Sequence, residues 1–395
     1  MFARRTNWKL DENAYTRALH RLRQSGEPIL DLTVSNPTTC GFHYDAEMIL
    51  ESLRDPAALV YSPDPKGLLS AREAVAGYYQ DKVPGAHFDP AHLILTTGTS
   101  EAYSFLFRLL CEPGDEVVIA HPSYPLFDFL ADIQDVQLRP FHLLYDHGWQ
   151  MDFHALREAI SARTRAILLV HPNNPTGHFV KTDEAAQLND ICRERGLALV
   201  VDEVFFDYAV PPPAASQMRC GTFASNASAL TFVLSGLSKI SALPQCKVAW
   251  IAAEGPDSLV QDALARLEII ADTFLSLNSP VQRALPTLLG QRASMQAQIR
   301  RRIQTNLDYL DTRLAARNCA TRLELEGGWY AVLRVPAVES DEALAIRLLE
   351  QHLVSVHPGH FYNFPGDGFL VLSLLTPAEV FEEGSRRLLD CLASL

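Results

Sequence analysis

Six short runs in this chain are almost wholly apolar: residues 92–96, 116–120, 166–170, 198–201, 230–234 and 248–252. A strand with one wet face alternates apolar and polar side chains. A strand apolar at every position is buried on both faces. Helical stretches separate most of these runs, so the pattern predicts an α/β fold built on a mostly parallel sheet covered by helices on both sides. Each run ends in a polar loop marked by glycine or proline. Sheets of this kind bind ligands at the carboxyl ends of their strands. Those loops are therefore where the chemistry is expected.

The texture changes after about residue 280. Residues 281–316 read as strongly helical, strands follow near 329–335 and 369–374, and a helix near 377–392 closes the chain. This predicts a large domain over 41–290. A smaller α/β domain is expected from 1–40 and 291–395. The 395 residues carry a formal net charge of −13, which argues against a nucleic-acid or anionic-membrane surface. No apolar run approaches the length of a membrane span, and the basic residues near the start have no apolar stretch behind them, so no secretory signal is expected. The seven cysteines are scattered and form no C-x-x-C. They read as reduced thiols of a cytoplasmic protein, with neither disulfides nor a metal site.

Five loops stand out. The run 230–234 delivers Lys239 into a loop of small residues, Ser235, Gly236, Ser238, Ser241 and Ala242. An amine held there out of water loses proton affinity and becomes a nucleophile. The loop 97–101 (Thr-Gly-Thr-Ser-Glu) precedes a helix, so its free amides could cradle a phosphate, with Thr99 and Ser100 adding hydroxyls; it is equally an ordinary helix cap. Tyr124 follows a strand and could stack on a planar ligand or simply pack. Asn174, in the loop 171–177 (His-Pro-Asn-Asn-Pro-Thr-Gly), offers an amide, although that composition makes a turn in any case. Asp202 closes the run 198–201. A buried carboxylate there needs a cation or several donors, and it suits a protonated ring nitrogen, a helix cap or an ion pair. In chain order these loops supply an anion cradle, a stacking ring, an amide, a carboxylate and a lysine, the parts needed to hold a phosphorylated pyridine aldehyde.

Over nearly its whole length the chain resembles the class I/II aminotransferases, pyridoxal-phosphate enzymes of the aspartate aminotransferase fold (fold type I). The resemblance rests on Tyr61-x-Pro-x-x-x-Gly67, Thr97-Gly-x-x-Glu101, Pro113-Gly-Asp-Glu-Val117, Pro122-x-Tyr124, Asn173-Asn-Pro-Thr-Gly177, Val201-Asp-Glu203 and Ser238-Lys239. It implies a seven-stranded type of central sheet and pyridoxal 5′-phosphate as cofactor. It implies that Lys239 forms the Schiff base and then moves the proton, that Asp202 pairs with the pyridine nitrogen, that Tyr124 stacks on the ring and that Asn174 bonds the phenolic oxygen. Gly98, Thr99, Ser100 and Ser238 fall in the phosphate site. Tyr61 matches a tyrosine that reaches the phosphate of a neighbouring subunit, which implies a homodimer with shared sites. The bond before Pro175 is a candidate for the cis form.

Four positions depart from the family pattern. Gly236 replaces a serine, with Ser235 and Ser238 as substitutes. Lys247 replaces the phosphate arginine and keeps its charge without the fork. Phe205 replaces a tyrosine, which should leave the phenolic oxygen more basic. Val371 stands where the family has the arginine that grips the substrate carboxylate. Asn36, Lys247, His357, His360, Arg322 and Arg334 are the alternative donors, with Asn36 favoured because its turn matches the family's substrate-lid segment. The implied activity is transfer of an amino group between an amino acid and a 2-oxo acid. A C–S or β-lyase or a decarboxylase on the same fold is the alternative. Retention of Lys239, Asp202 and Asn174 together argues against a non-catalytic sensor.

Overall fold

The computed structural model describes residues 1–211 and 218–395. Its strands, in chain order, are β1 (Leu30–Asp31), β2 (Leu93–Thr96), β3 (Glu116–His121), β4 (Gln137–Tyr145), β5 (Trp149–Met151), β6 (Thr164–Val170), β7 (Ala198–Asp202), β8 (Thr231–Gly236), β9 (Ala249–Glu254), β10 (Thr321–Arg322), β11 (Tyr330–Arg334), β12 (Val354–Ser355), β13 (His357–Pro358) and β14 (Phe369–Ser373). Eight of them form one sheet in the order β2-β9-β8-β7-β6-β3-β4-β5. β8, β7, β6, β3 and β4 run parallel, and β9 runs against both β8 and β2. The sheet is thus mostly parallel, as the apolar runs require. Its eighth strand, β5, is a short antiparallel addition at the edge. The sequence shows neither β4 nor β5 as an apolar run. β4 lies next to that edge, and its exposed positions carry Gln137, Arg139, Pro140 and His142.

Successive residues of the central strands enter two different apolar layers. Val118, Ile167, Leu169, Leu199, Val201 and Val233 face one layer. Val117, Ile119, Leu168, Val200, Phe232 and Leu234 face the other. This is the period-two alternation of a strand with no wet face. The helical stretch after residue 280 is two helices, Ser279–Gly290 and Arg292–Arg317, that meet at Gln291. The first packs on the helices Ala46–Ser52 and Leu69–Lys82, and the second on Ala378–Leu392. A second sheet, β10-β11-β14-β13, shares a third apolar layer with that closing helix. β1 pairs with β12 in a separate two-stranded sheet, which ties the N-terminal segment to the C-terminal part of the chain. Among the described residues no helix is long and apolar enough to cross a membrane.

Gly236 marks the exit from β8 towards Lys239. A Cβ there would stand 2.7 Å from the Val248 carbonyl oxygen and 2.8 Å from the Ala249 Cβ, so the backbone of β9 leaves no room for a side chain. A serine here would require the backbone of β9 to shift, so the glycine goes with this close approach. Gly236→Ala is expected to destabilise the cofactor-free protein by about 1–3 kcal/mol, the range for overpacking. Urea unfolding checks this, and an unchanged midpoint would refute it.

Candidate active site

The carboxyl ends of the parallel strands meet a cavity of about 220 Å³ lined by Ser35, Thr99, Tyr124, Phe127, Val170, Asn174, Asp202, Val204, Phe205, Ser238, Lys239 and Tyr330. β9 runs the other way, so its amino end, and Lys247 just before it, lie at this same edge.

Lys239 sits on the short helix Leu237–Ile240, which is pinned by the buried Leu237 and Ile240. The Leu237 N–H bonds back to the Val248 carbonyl at 2.9 Å, and the Tyr208 hydroxyl donates to the Lys239 carbonyl at 2.6 Å. The Lys239 Nζ lies 4.9 Å from the centre of the Trp329 ring and 5.7 Å from that of Phe205. Withdrawal from water pushes this amine down to about 8, against the pull of the Asp202 charge. Asp202 closes β7, the strand beside β8. Its Oδ2 accepts from the Tyr103 hydroxyl at 2.7 Å and its Oδ1 from the Val204 N–H at 3.0 Å. Burial outweighs these donors and raises its carboxyl to about 6. A cationic ring N–H against it would supply the counter-charge that the protein leaves out.

The loop after β6 is locked by Asn173, whose Nδ2 donates to the Pro122 carbonyl at 3.0 Å and to the Thr176 hydroxyl at 2.9 Å. Gly177 closes it at φ +73°, where a Cβ would meet the Gly327 carbonyl at 2.6 Å. The bond between Asn174 and Pro175 is cis. Asn174 is left facing the cavity with its Oδ1 buried and unpaired. That oxygen lacks a donor, and exchanging the amide's oxygen and nitrogen would present Nδ2 to a ligand oxygen. Tyr124 lines the cavity at 40% exposure, edge-on to Phe127 with ring centres 5.8 Å apart.

The helix Thr99–Leu110 begins at Gly98, which makes no side-chain cap, so the Thr99 and Ser100 amides stay unspent. Glu101 instead caps the Thr97 N–H at 2.8 Å. The Lys247 Nζ stands 3.6 Å from where a Cβ on Gly98 would be. A helix start with free amides, an ammonium and the hydroxyls of Thr99 and Ser238 form a phosphate cradle. The residues therefore fit pyridoxal 5′-phosphate: an anion cradle at one end, an unpaired amide beside an amine, and an undercompensated carboxylate at depth. Among the described residues no cluster of three or more His, Cys, Asp or Glu could hold a metal.

The other residues singled out by sequence fall as follows. Ser100 is exposed on the first turn of its helix. Ser235 is buried and donates to the Glu203 carbonyl at 3.5 Å, so Ser238 alone of the two serines lines the cavity. Tyr61 is 76% exposed and lies outside this cavity. Asn36 is exposed, and its Oδ1 caps the next turn by accepting from the Thr38 N–H and hydroxyl at 3.1 and 2.8 Å; its neighbour Ser35 lines the cavity. Arg322 is held by both oxygens of Asp311, Arg334 lies over the rings of Tyr145 and Phe369, and His357 shares a hydrogen bond with Tyr362 at 3.0 Å. His360 is exposed, edge-on to Phe361. Sequence reading missed Tyr103, Phe127, Ser35 and Tyr330. Only Tyr103 left a trace, four residues after Thr99 and so one helical turn further along the same face.

The family model described as aminotransferase class I and II matches residues 6–383. The chain is 30% identical over 365 residues to the alanine aminotransferase of Mycobacterium bovis, covering 90% of this chain and 83% of that protein. It is 29% identical over 370 residues to the glutamate-pyruvate aminotransferase of Haemophilus influenzae, covering 90% and 88%. Among solved structures, the alanine aminotransferase from Pyrococcus furiosus superposes with a TM-score of 0.89 over all of both chains, at 21% identity.

The lowered proton affinity of Lys239 has a direct readout. Below pH 8 the amine is protonated and unreactive; above it, neutral. Borohydride trapping of an aldehyde by the cofactor-free protein is expected to rise with pH to a midpoint near 8, about two units below an ordinary lysine. A midpoint above 10 would refute the burial argument.

Proposed function

Since the chain belongs to the class I and II aminotransferases, we propose that Lys239 is its catalytic lysine and that its amino donors include alanine and glutamate. The chain is a pyridoxal 5′-phosphate-dependent enzyme that moves an amino group between an amino acid and a 2-oxo acid. One observation carries the assignment of Lys239: it shares a single cavity with Asp202 and Asn174, and among the described residues no other lysine lines that cavity. The choice of alanine and glutamate is supported by the relatives that match along most of their length.

When bound, the cofactor supplies an aldehyde that amines condense with and a ring that takes up the electron pair released at the substrate's Cα. The chain does the rest. Asp202 holds the proton on the ring nitrogen and so keeps the ring cationic. Asn174 donates to the phenolic oxygen, Tyr124 supports the ring face, and Gly98, Thr99, Ser100, Ser238 and Lys247 hold the phosphate. The Lys239 amine, neutral above about pH 8, would take the proton from the substrate's Cα at its Nζ and hold it there for return. The walls of Phe127, Val170, Val204 and Phe205 keep water from that transfer.

The exposed run of Leu59, Val60 and Tyr61, at 90%, 65% and 76% exposure, supports a homodimer in which Tyr61 reaches the phosphate held by the partner subunit. On that reading, Tyr61→Phe is expected to weaken cofactor binding roughly tenfold, the loss of one hydrogen bond to a charged group. Equilibrium dialysis measures it, and unchanged affinity would remove Tyr61 from the site.

The functional test is a half-reaction. Holoenzyme is mixed with one amino acid and no acceptor, and the visible band of the cofactor is followed. The band is expected to fall with alanine or glutamate and to return on adding a 2-oxo acid. Lys239→Ala is expected to slow the conversion by about 10²–10⁴-fold, the range for loss of a positioned general base. Release of ammonia with pyruvate, or of carbon dioxide, in place of a reversible change would overturn the reading in favour of a lyase or decarboxylase.

A further inference from the structure

Sorting the cavity wall by task leaves two polar side chains without one. Lys239, Asp202, Asn174, Thr99, Ser238 and Tyr124 are assigned to the cofactor by the proposed function. Phe127, Val170, Val204 and Phe205 are apolar. Ser35 and Tyr330 remain, and among the described residues no arginine lines the cavity.

Val371 shows why. In register, Tyr330 faces Ser373 and Val332 faces Val371 across β11 and β14. Cross-strand partners and alternate residues share a face, so Val371 lies on the face from which Tyr330 reaches the cavity. That position is 1% exposed and packs in one layer with Val332, Tyr362 and Phe364. His357, the other register partner of Val371, is hydrogen-bonded to Tyr362. The place of a carboxylate-binding cation is therefore filled by apolar packing and a satisfied His–Tyr pair.

We propose that Ser35 and Tyr330 hold the α-carboxylate of the amino-acid substrate, two neutral hydroxyl donors doing the work of an arginine fork. The proposal rests on the reading of this cavity as the site of the amino-acid half-reaction. The two residues line the same cavity. The segment that carries Ser35 is stitched to the end of β14: the Ser373 hydroxyl donates to the Val34 carbonyl at 2.6 Å and the Ser373 N–H to the Leu32 carbonyl at 2.7 Å. Ser373 is the partner of Tyr330 in the sheet, so one clamp fixes both donors. The Tyr330 ring stands edge-on to Phe205, with centres 6.2 Å apart, which sets the direction of its hydroxyl. Burial pushes that phenol up to about 12, so it remains a donor at any working pH.

The test compares two substrates on one enzyme preparation: L-alanine, and ethylamine, which lacks the carboxylate. Half-reaction rates at low concentration give a preference ratio that does not depend on the fraction of active protein. Tyr330→Phe and Ser35→Ala are each expected to lower that ratio by roughly ten- to a hundredfold, the value of one hydrogen bond to a carboxylate. The ethylamine rate and the cofactor's visible band should stay as in the unaltered enzyme. A ratio unchanged in both variants would overturn the proposal. So would an equal loss for both substrates, which would mark a structural role. If the unaltered holoenzyme converts no amino acid at all, the aminotransferase half-reaction fails instead, and the two failures are told apart.

Discussion

Keeping the amine of Lys239 out of water is the constraint on which the rest of the site depends. An ammonium withdrawn from solvent loses several kcal/mol of hydration, and a protein meets that loss by a counter-charge or by giving up the proton. Both are present. The Asp202 carboxylate lies at the end of the neighbouring strand, and the amine's proton affinity falls to about 8. Asp202 is itself buried and has only the Tyr103 hydroxyl and the Val204 N–H as donors. Neither group is comfortable without a third. A cationic ring nitrogen against Asp202 would relieve the carboxylate, and an aldehyde would relieve the amine. The discomfort of the two side chains is thus a physical reason for the cofactor, independent of any likeness to other proteins.

The large sheet was legible because burial on both faces removes every polar residue from a strand, and that absence shows in one dimension. Its limits were equally physical. β4 faces solvent at alternate positions and carries Arg139 and Pro140, so nothing distinguishes it from a loop until β3 is seen beside it. β9 has the apolar texture of its neighbours, yet it runs against them. Texture reports burial and is silent on direction. The reversal matters, because it brings Lys247 to the edge where the carboxyl ends of β6, β7 and β8 open.

The same distinction governs the site. Lys239, Asp202, Asn174 and Thr99 each follow within a few residues of a strand end, so a local pattern locates them and the parallel sheet assembles them. Ser35 and Tyr330 come from elsewhere. One lies in a turn near the N-terminus and the other starts a strand of the smaller sheet, and only the clamp through Ser373 brings them together. Tyr103 sits inside an apolar helix, where a tyrosine usually just packs. Gly236 could be read only as a departure until the carbonyl of Val248 was seen to fill the space a side chain would need.

The exchange of an arginine for hydroxyls has a consequence for charge. An arginine at position 371 would have to be desolvated whenever the cavity stood empty, and nothing on that face could pair with it, since His357 and Tyr362 already satisfy each other. Hydroxyls cost far less to keep dry than a guanidinium, and Ser35 and Tyr330 are the hydroxyls that line this part of the cavity. They orient a carboxylate without neutralising it. A carboxylate held by neutral donors keeps its full charge, and that charge is felt most strongly in the apolar part of the cavity, walled by Phe205 and Val204, where charges are screened least.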